Sequence, residues 1–175
     1  FATTQNKSLA ATMENENTVV MYHNTDDAYV AEGLAAIAAV NEPGSLTFKF
    51  RTIAGVLESD ANDTDLAQLH TDGSFSYVKK MGVLQTSEGI TTTGEYIDVV
   101  MGAHFLKVRM EEEAMALAIN NKKIPYDNSG IAMLVSAADA VLKRGVTQGI
   151  VLKDNDGNGV YQISYLKREE VPTND

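Results

Sequence analysis

The sequence predicts an α/β protein: a mixed sheet with a βαβ unit near the N-terminus, followed by a smaller α+β part with a long central helix, a second antiparallel helix and a β-hairpin. Three observations carry that expectation. A β-branched and aromatic run at 18–23 (TVVMYH) is followed by apolar residues at helical spacing over 28–40, then by strict alternation at 45–51. The stretch 94–126 is the longest that reads as one element; at about 100° per residue, Ile97, Met101, Phe105, Val108, Met115 and Ile119 line up on one stripe. Near the C-terminus, DNDGNG separates two apolar runs, as a tight hairpin turn does.

Taken in order, 4–15 (TQNKSLAATMEN) reads as a short amphipathic helix and 18–23 as a buried strand. Asp26 or Asp27 is placed to cap the helix over 28–40, which Pro43 and Gly44 stop. The next strand, 45–56, points Leu46, Phe48 and Phe50 inward and Thr47, Lys49 and Arg51 outward. Strand, helix and strand in this order make a βαβ unit, so 1–57 is expected to end an α/β domain and 58–175 to form an α+β domain. The polar run 58–65 is a linker or a helix start with LAQLH behind it, and 74–80, 83–89 and 90–96 give short strands.

The long helix carries a second apolar stripe, Val99, Leu106, Met110 and Leu117, with Asp98, Lys107, Arg109, Glu111 and Glu113 mostly between the two. Such a helix must touch two things, its own core and a further layer or another subunit. Pro125 cannot continue it. A second helix over 129–144 is expected to bury Ile131, Leu134, Val135, Ala138 and Leu142, to end at Gly145 or Gly149, and to pair with the first across KKIPYDN. IVLK and VYQISYL then form the hairpin, and KREEVPTND frays.

With 175 residues, 44% of them hydrophobic, the chain has material for a sizeable core. Lys+Arg 14 against Asp+Glu 24 leaves a net charge of -10, which repels phosphate backbones and anionic membrane surfaces and argues against nucleic acid as partner. The most apolar run, 28–40, is shorter than the roughly 20 residues a bilayer requires, so no membrane insertion is expected. The absence of cysteine excludes thiolate chemistry.

Candidate chemistry is sparse. DNDGNG offers Asp154, Asp156 and Asn158 at calcium-loop positions, but the twelfth position is Tyr165, where a bidentate carboxylate belongs; Asn, Asp and Gly are also what a plain turn needs. Glu111, Glu112 and Glu113 point about 100° apart and cannot converge on one ion. Glu95 and Asp98 suit the start of a helix, where unpaired N–H groups favour negative charge. His23, His70 and His104 show no ligand spacing, although His23 sits where a parallel strand should end. No nucleophile elbow, phosphate loop or dinucleotide fingerprint is present. These residues define no active site, no cofactor site and no catalytic residue, and a chain with a core but no site suggests assembly.

At TIAGV, GEYIDVV, KIPYDNSGI and KREEVPTND the sequence resembles the sheath proteins of contractile phage tails, including those of prophages and tail-like particles. The order and spacing of the motifs agree over nearly the whole chain, with DNSG departing from the acidic-small-glycine turn of that place. The resemblance implies a subunit that polymerises as a sleeve around a tail tube and contracts without consuming nucleotide. The implied partners are other sheath copies, the tail tube protein, and the baseplate and tail terminator proteins. It implies location in the virion tail, and in the host cytoplasm during assembly. It also implies that 1–57 is the C-terminal part of a subtilisin-like α/β sheath domain lacking a protease triad, and that 58–175 is an α+β sheath domain truncated before a C-terminal arm. The chain is then a core fragment, expected to be monomeric in dilute solution. Contacts are assigned to Lys107, Arg109, Glu111, Glu112 and Glu113 on the long helix and to Lys167, Arg168, Glu169 and Glu170 behind the hairpin. Two other readings remain at this point: a calcium-stabilised binding or decoration module using the 154–159 loop, and an α/β hydrolase with His23 at the sheet edge.

Overall fold

The computed structural model describes residues 1–25 and 27–171, and among them four strands lie side by side in sequence order. They are β1 (Ala2–Thr4), β2 (Val20–Tyr22), β3 (Phe75–Lys80) and β4 (Val83–Thr86). β1 and β3 flank β2 in parallel, with Ala2 opposite Val20 and Met21 opposite Phe75, whereas β4 runs antiparallel to β3. The sheet is therefore mixed, as the sequence predicts. Its central strand β2 is buried at every residue, the pattern of a parallel strand covered on both faces.

Helix α1 (Val30–Val40) covers one face. There Val30, Ala31 and Leu34 pack with Met21, Phe75, Tyr77, Phe48 and Ile53. Helix α2 (Asp63–Thr71) covers the other, where Leu66 and Leu69 meet Tyr22 and Val78. The alternation of Tyr77 and Val78 between the two clusters is the period-2 alternation of a strand. A capping box starts α2: the Asn62 side chain accepts from the Thr64 and Asp65 N–H groups while Asp65 accepts from the Asn62 N–H.

Several expectations are corrected. The N-terminal segment is not a helix: it forms β1 and a 3₁₀ turn, Ala10–Thr12. Thr4 accepts from the Asn6 N–H and Asn6 from the Ser8 N–H, local bonds that compete with helix formation. Asp27 does not cap α1, whose N-cap position is Tyr29 with no side-chain cap, and Asp26 lies outside the described residues. The cap comes from the neighbouring strand instead, because Thr3 Oγ1 accepts from the Ala31 N–H at 3.0 Å. The 45–56 segment is not a strand. Phe48 is buried, but Phe50 is exposed at φ 63, and the Thr86 hydroxyl accepts from Arg51 N–H and donates to the Phe48 carbonyl. The return strand of the βαβ unit is β3. The 90–96 stretch makes a single bridge, Ile90 to Tyr96, and no strand.

The chain divides into two compact units, Phe1–Met101 and Gly102–Asp175. The long helix, α3 (Ile97–Asn120), begins with Ile97 in the core of the first unit and Met101 against it. In the second unit it is followed by α4 (Asn128–Gln148). Gly145 does not end α4. It lets α3 approach, since a Cβ there would lie 2.8 Å from Leu106 Cδ2. Gly149, at φ 83, closes the helix. Val141 and Val146 are the buried side chains of α4, while Leu134, expected inside, is 45% exposed. The C-terminal hairpin is reduced to one bridge, Lys153 to Gly159, and Arg168–Glu170 folds as a 3₁₀ turn, while 172–175 of the segment expected to fray lie outside the described residues. No helix among the described residues is long and apolar enough to cross a membrane.

Candidate functional site

In the second unit α3 presents its two stripes differently. Leu106, Met110 and Leu117 are half-buried, and Leu106 sits on Gly145 of α4. On the other stripe Phe105 is half-buried beneath the Arg109 and Arg144 guanidinium groups, 5.4 and 5.7 Å from its ring centroid. Beyond it Val108, Met115 and Ile119 stand 49%, 62% and 73% exposed. Leu106 thus meets α4, while Val108, Met115 and Ile119 stand uncovered on the other side of the helix.

Of the charged residues assigned to contacts, Glu111 and Glu112 flank those exposed apolar residues and Glu113 points away from them. Lys107, Glu111, Glu112 and Glu113 are exposed. Arg109 pairs with Glu112 at 2.6 Å, an exposed pair one helical turn apart that contributes at most about 1 kcal/mol. The second charged group, Lys167 to Glu170, is brought to the start of α4 by a stitch the sequence does not announce. Asn128 Oδ1 accepts from the Arg168 N–H at 2.8 Å, and Asn128 Nδ2 donates to Glu169 at 2.9 Å. Glu170 accepts from the Lys167 N–H and closes the turn. The structure therefore separates the two assigned groups: one occupies the side of α3, the other the N-terminal end of α4.

One further stitch holds the tail. The Tyr161 hydroxyl donates to Asp139 at 2.6 Å, and Lys143 pairs with the same carboxylate at 2.7 Å. Lys143, then Tyr161, holds the Asp139 carboxyl below its ordinary range. The i,i+4 spacing of Asp139 and Lys143 is visible in the sequence; Tyr161 carries no comparable signal. At the helix turn Asp127 caps α4, accepting from the N–H groups of Ser129 and Gly130 and from the Ser129 hydroxyl. The Ser129 hydroxyl foremost, then those amides, lowers its carboxyl.

The residues of the alternative readings are placed as follows. Asp154 turns its carboxylate onto its own loop, accepting from the Asp156 and Asn158 N–H groups, and the Asn158 amide is the main cause of its lowered carboxyl. No group of three or more metal-ligating side chains occurs among the described residues. His23 Nδ1 accepts from the Thr25 N–H and Nε2 donates to the Leu57 carbonyl, so both nitrogens brace loops at the sheet edge. His104 is exposed on α3. His70 contacts Ser87, an approach of histidine and serine that their separation in sequence conceals. Ser87 is buried and also accepts from the Ser76 N–H, within a chain of hydroxyls that reaches Ser59 and the Tyr22 carbonyl. That chain ties α2 to β3 and β4.

The second unit is thus a pair of helices with a stitched tail and exposed apolar residues along α3. Residues 97–170 match the family described as E217 tail sheath protein gp31-like, C-terminal domain, and that span is similar to a phage tail sheath domain. No curated protein matches it. The matched span begins with α3 and ends with the Arg168–Glu170 turn, so it takes in both charged groups.

Proposed function

We propose that the protein is a structural subunit of a contractile tail sheath. It polymerises around the tail tube and shortens to drive the tube through the host envelope. The observation that carries this reading is the bare stripe Val108, Met115 and Ile119 within the span similar to a sheath domain. Exposed apolar residues of this size in a row mark a surface that another chain covers. Contraction is a move between two lattices of the same subunits, driven by more favourable contacts in the shorter one, and requires neither active site nor cofactor. The partners are other sheath copies, the tail tube protein, and baseplate and terminator proteins, in the virion tail after assembly in the host cytoplasm. In this reading residues 1–57 are the C-terminal part of a subtilisin-like sheath domain that serves as scaffold and not as enzyme.

Negative-stain electron microscopy of the full-length gene product co-expressed with the tail tube protein of its own virus tests the proposal. Sleeves around tubes are expected, and Glu112→Lys with Glu113→Lys should reduce them while leaving the melting temperature within about 2 °C. Bare tubes beside dispersed protein would sink the sheath reading, and sleeves indifferent to the double reversal would remove these glutamates from the interface.

A further inference from the structure

The turn joining α3 to α4 and the tail returning across it enclose an open groove of about 930 Å³. Its lining is mostly apolar, with Ile124, Ile131, Leu134 and Val171 contributing, and Lys122, Lys123 and Arg168 stand along it. Asp127 also lines it, but its carboxylate is consumed by capping α4. Among the described residues no ion pair involves these three cations. Three such cations over an apolar lining, in a chain of net charge -10, select an acidic segment studded with apolar side chains.

The chain carries such a segment. On the wheel of α3, Val108, Met115 and Ile119 fall within about 40° of one another, with Glu111 about 60° to one side and Glu112 about 40° to the other. Glu113 points away. Glu112 has Arg109 as partner, while Glu111 has no ion pair among the described residues. This ridge cannot reach the groove of its own copy. Ala118 of the same rigid helix lines the groove, and Glu112 lies six residues, about 9 Å, before it along the axis.

We propose that the groove takes the acidic ridge of α3 from a second copy of this chain, with Met115 and Ile119 on the Ile131 and Leu134 lining and Glu111 and Glu112 facing Lys122, Lys123 and Arg168. The surfaces are different patches, so the contact is heterologous. It leaves one groove and one ridge free at its ends and propagates into a ring or a helical array. This inference rests on the sheath reading and names the contact by which such an array grows.

The chain has no cysteine, which permits a direct trap. Met115→Cys and Leu134→Cys are made separately and mixed under mild oxidation. A disulfide between the two variants is expected, forming faster than either homodimer. Adding Lys122→Glu and Lys123→Glu to the Leu134→Cys variant should slow it roughly tenfold or more at low salt, as should Glu111→Lys and Glu112→Lys in the Met115→Cys variant. Combining both reversals restores opposite charges and should restore the rate. Circular dichroism of each variant verifies that the helices remain. No mixed disulfide, or one whose rate ignores the charges, overturns the contact. Sleeves that assemble from protein in which this disulfide never forms leave the sheath reading standing and remove only the groove. A charge-dependent disulfide in protein that never sheathes a tube retains the contact and removes the sheath.

Discussion

The hydroxyl of Tyr77 holds both backbone groups of Ile53: it accepts from the Ile53 N–H at 3.0 Å and donates to the Ile53 carbonyl at 3.2 Å. Tyr77 is fully buried on β3, and Ile53 is buried in the irregular 45–56 segment. One side chain thus does what two ladder bonds would do in a strand, and the segment is fixed against the sheet without joining it. Tyr77→Phe keeps the ring and strands a donor and an acceptor, at a cost of about 2–3 kcal/mol. Urea unfolding should show a lower midpoint at unchanged slope. A loss below about 0.5 kcal/mol would mean that these backbone groups find other partners.

A gain in stability is expected at the β3–β4 turn. Met81 and Gly82 are its two central residues, at φ 51 and φ 80, the pair of positive angles that a two-residue hairpin prefers. Met81 is fully exposed and packs on nothing that would offset the strain of a bulky residue in that region. Met81→Asn supplies the residue type the turn favours and should raise stability by about 1 kcal/mol. A decrease in the urea midpoint would show that the methionine makes a contact that outweighs its backbone strain.

What was legible in the sequence follows from the range of each signal. The burial of β2, the amphipathic spacing of α1, the two stripes of α3 and the existence of α4 are written in local periodicity, and each appears in the structure. The misplaced elements were decided by distant partners. Alternation at 46–51 resembles a strand until Thr86 and Tyr77 take its backbone groups, and the cap of α1 comes from Thr3, 28 residues earlier. Gly145 reads as a helix stop because its other use, admitting Leu106, depends on a neighbour. The charged residues of the candidate surface were legible as types. Asn128 and Tyr161, which set where the tail lies, were not, because a single polar residue carries no period.

Acid should weaken the units in different pH windows. Burial lowers the His70 pKa below its ordinary 6.5, so the unfolded chain takes up that proton more readily than the folded one. Its contribution is complete above about pH 6.5 and is lost as pH falls through the folded value. In the second unit Asp127 and Asp139 are lowered carboxyls; their contribution is complete above about pH 4 and is lost below that as pH falls through their folded values. Amide exchange followed by NMR from pH 7 to pH 3 should show α2 losing protection first and α4 later. Asp127→Asn retains a capping oxygen at every pH and should flatten the later loss. An unchanged α4 profile in that variant would assign the acid sensitivity elsewhere.

The spacing between α3 and α4 is set by Gly145 and Leu106, and the two residues should couple with a change of sign. A methyl group at position 145 would lie 2.8 Å from Leu106 Cδ2 and 3.2 Å from Val151 Cγ2, too close for either to remain where it is. Gly145→Ala alone should therefore cost about 1–3 kcal/mol as an overpacked contact. Leu106→Ala alone removes half-buried methyl groups and should cost about 1–2 kcal/mol. In the Leu106→Ala background the closer obstacle is gone, and Gly145→Ala becomes a favourable helix substitution worth up to about 1 kcal/mol. The double variant should then be more stable than Leu106→Ala by itself, a coupling energy of about 2 kcal/mol or more in a double-mutant cycle. Additive losses would place the limiting contact at Val151 and would mean that Leu106 yields to the extra methyl without resisting the approach of the helices.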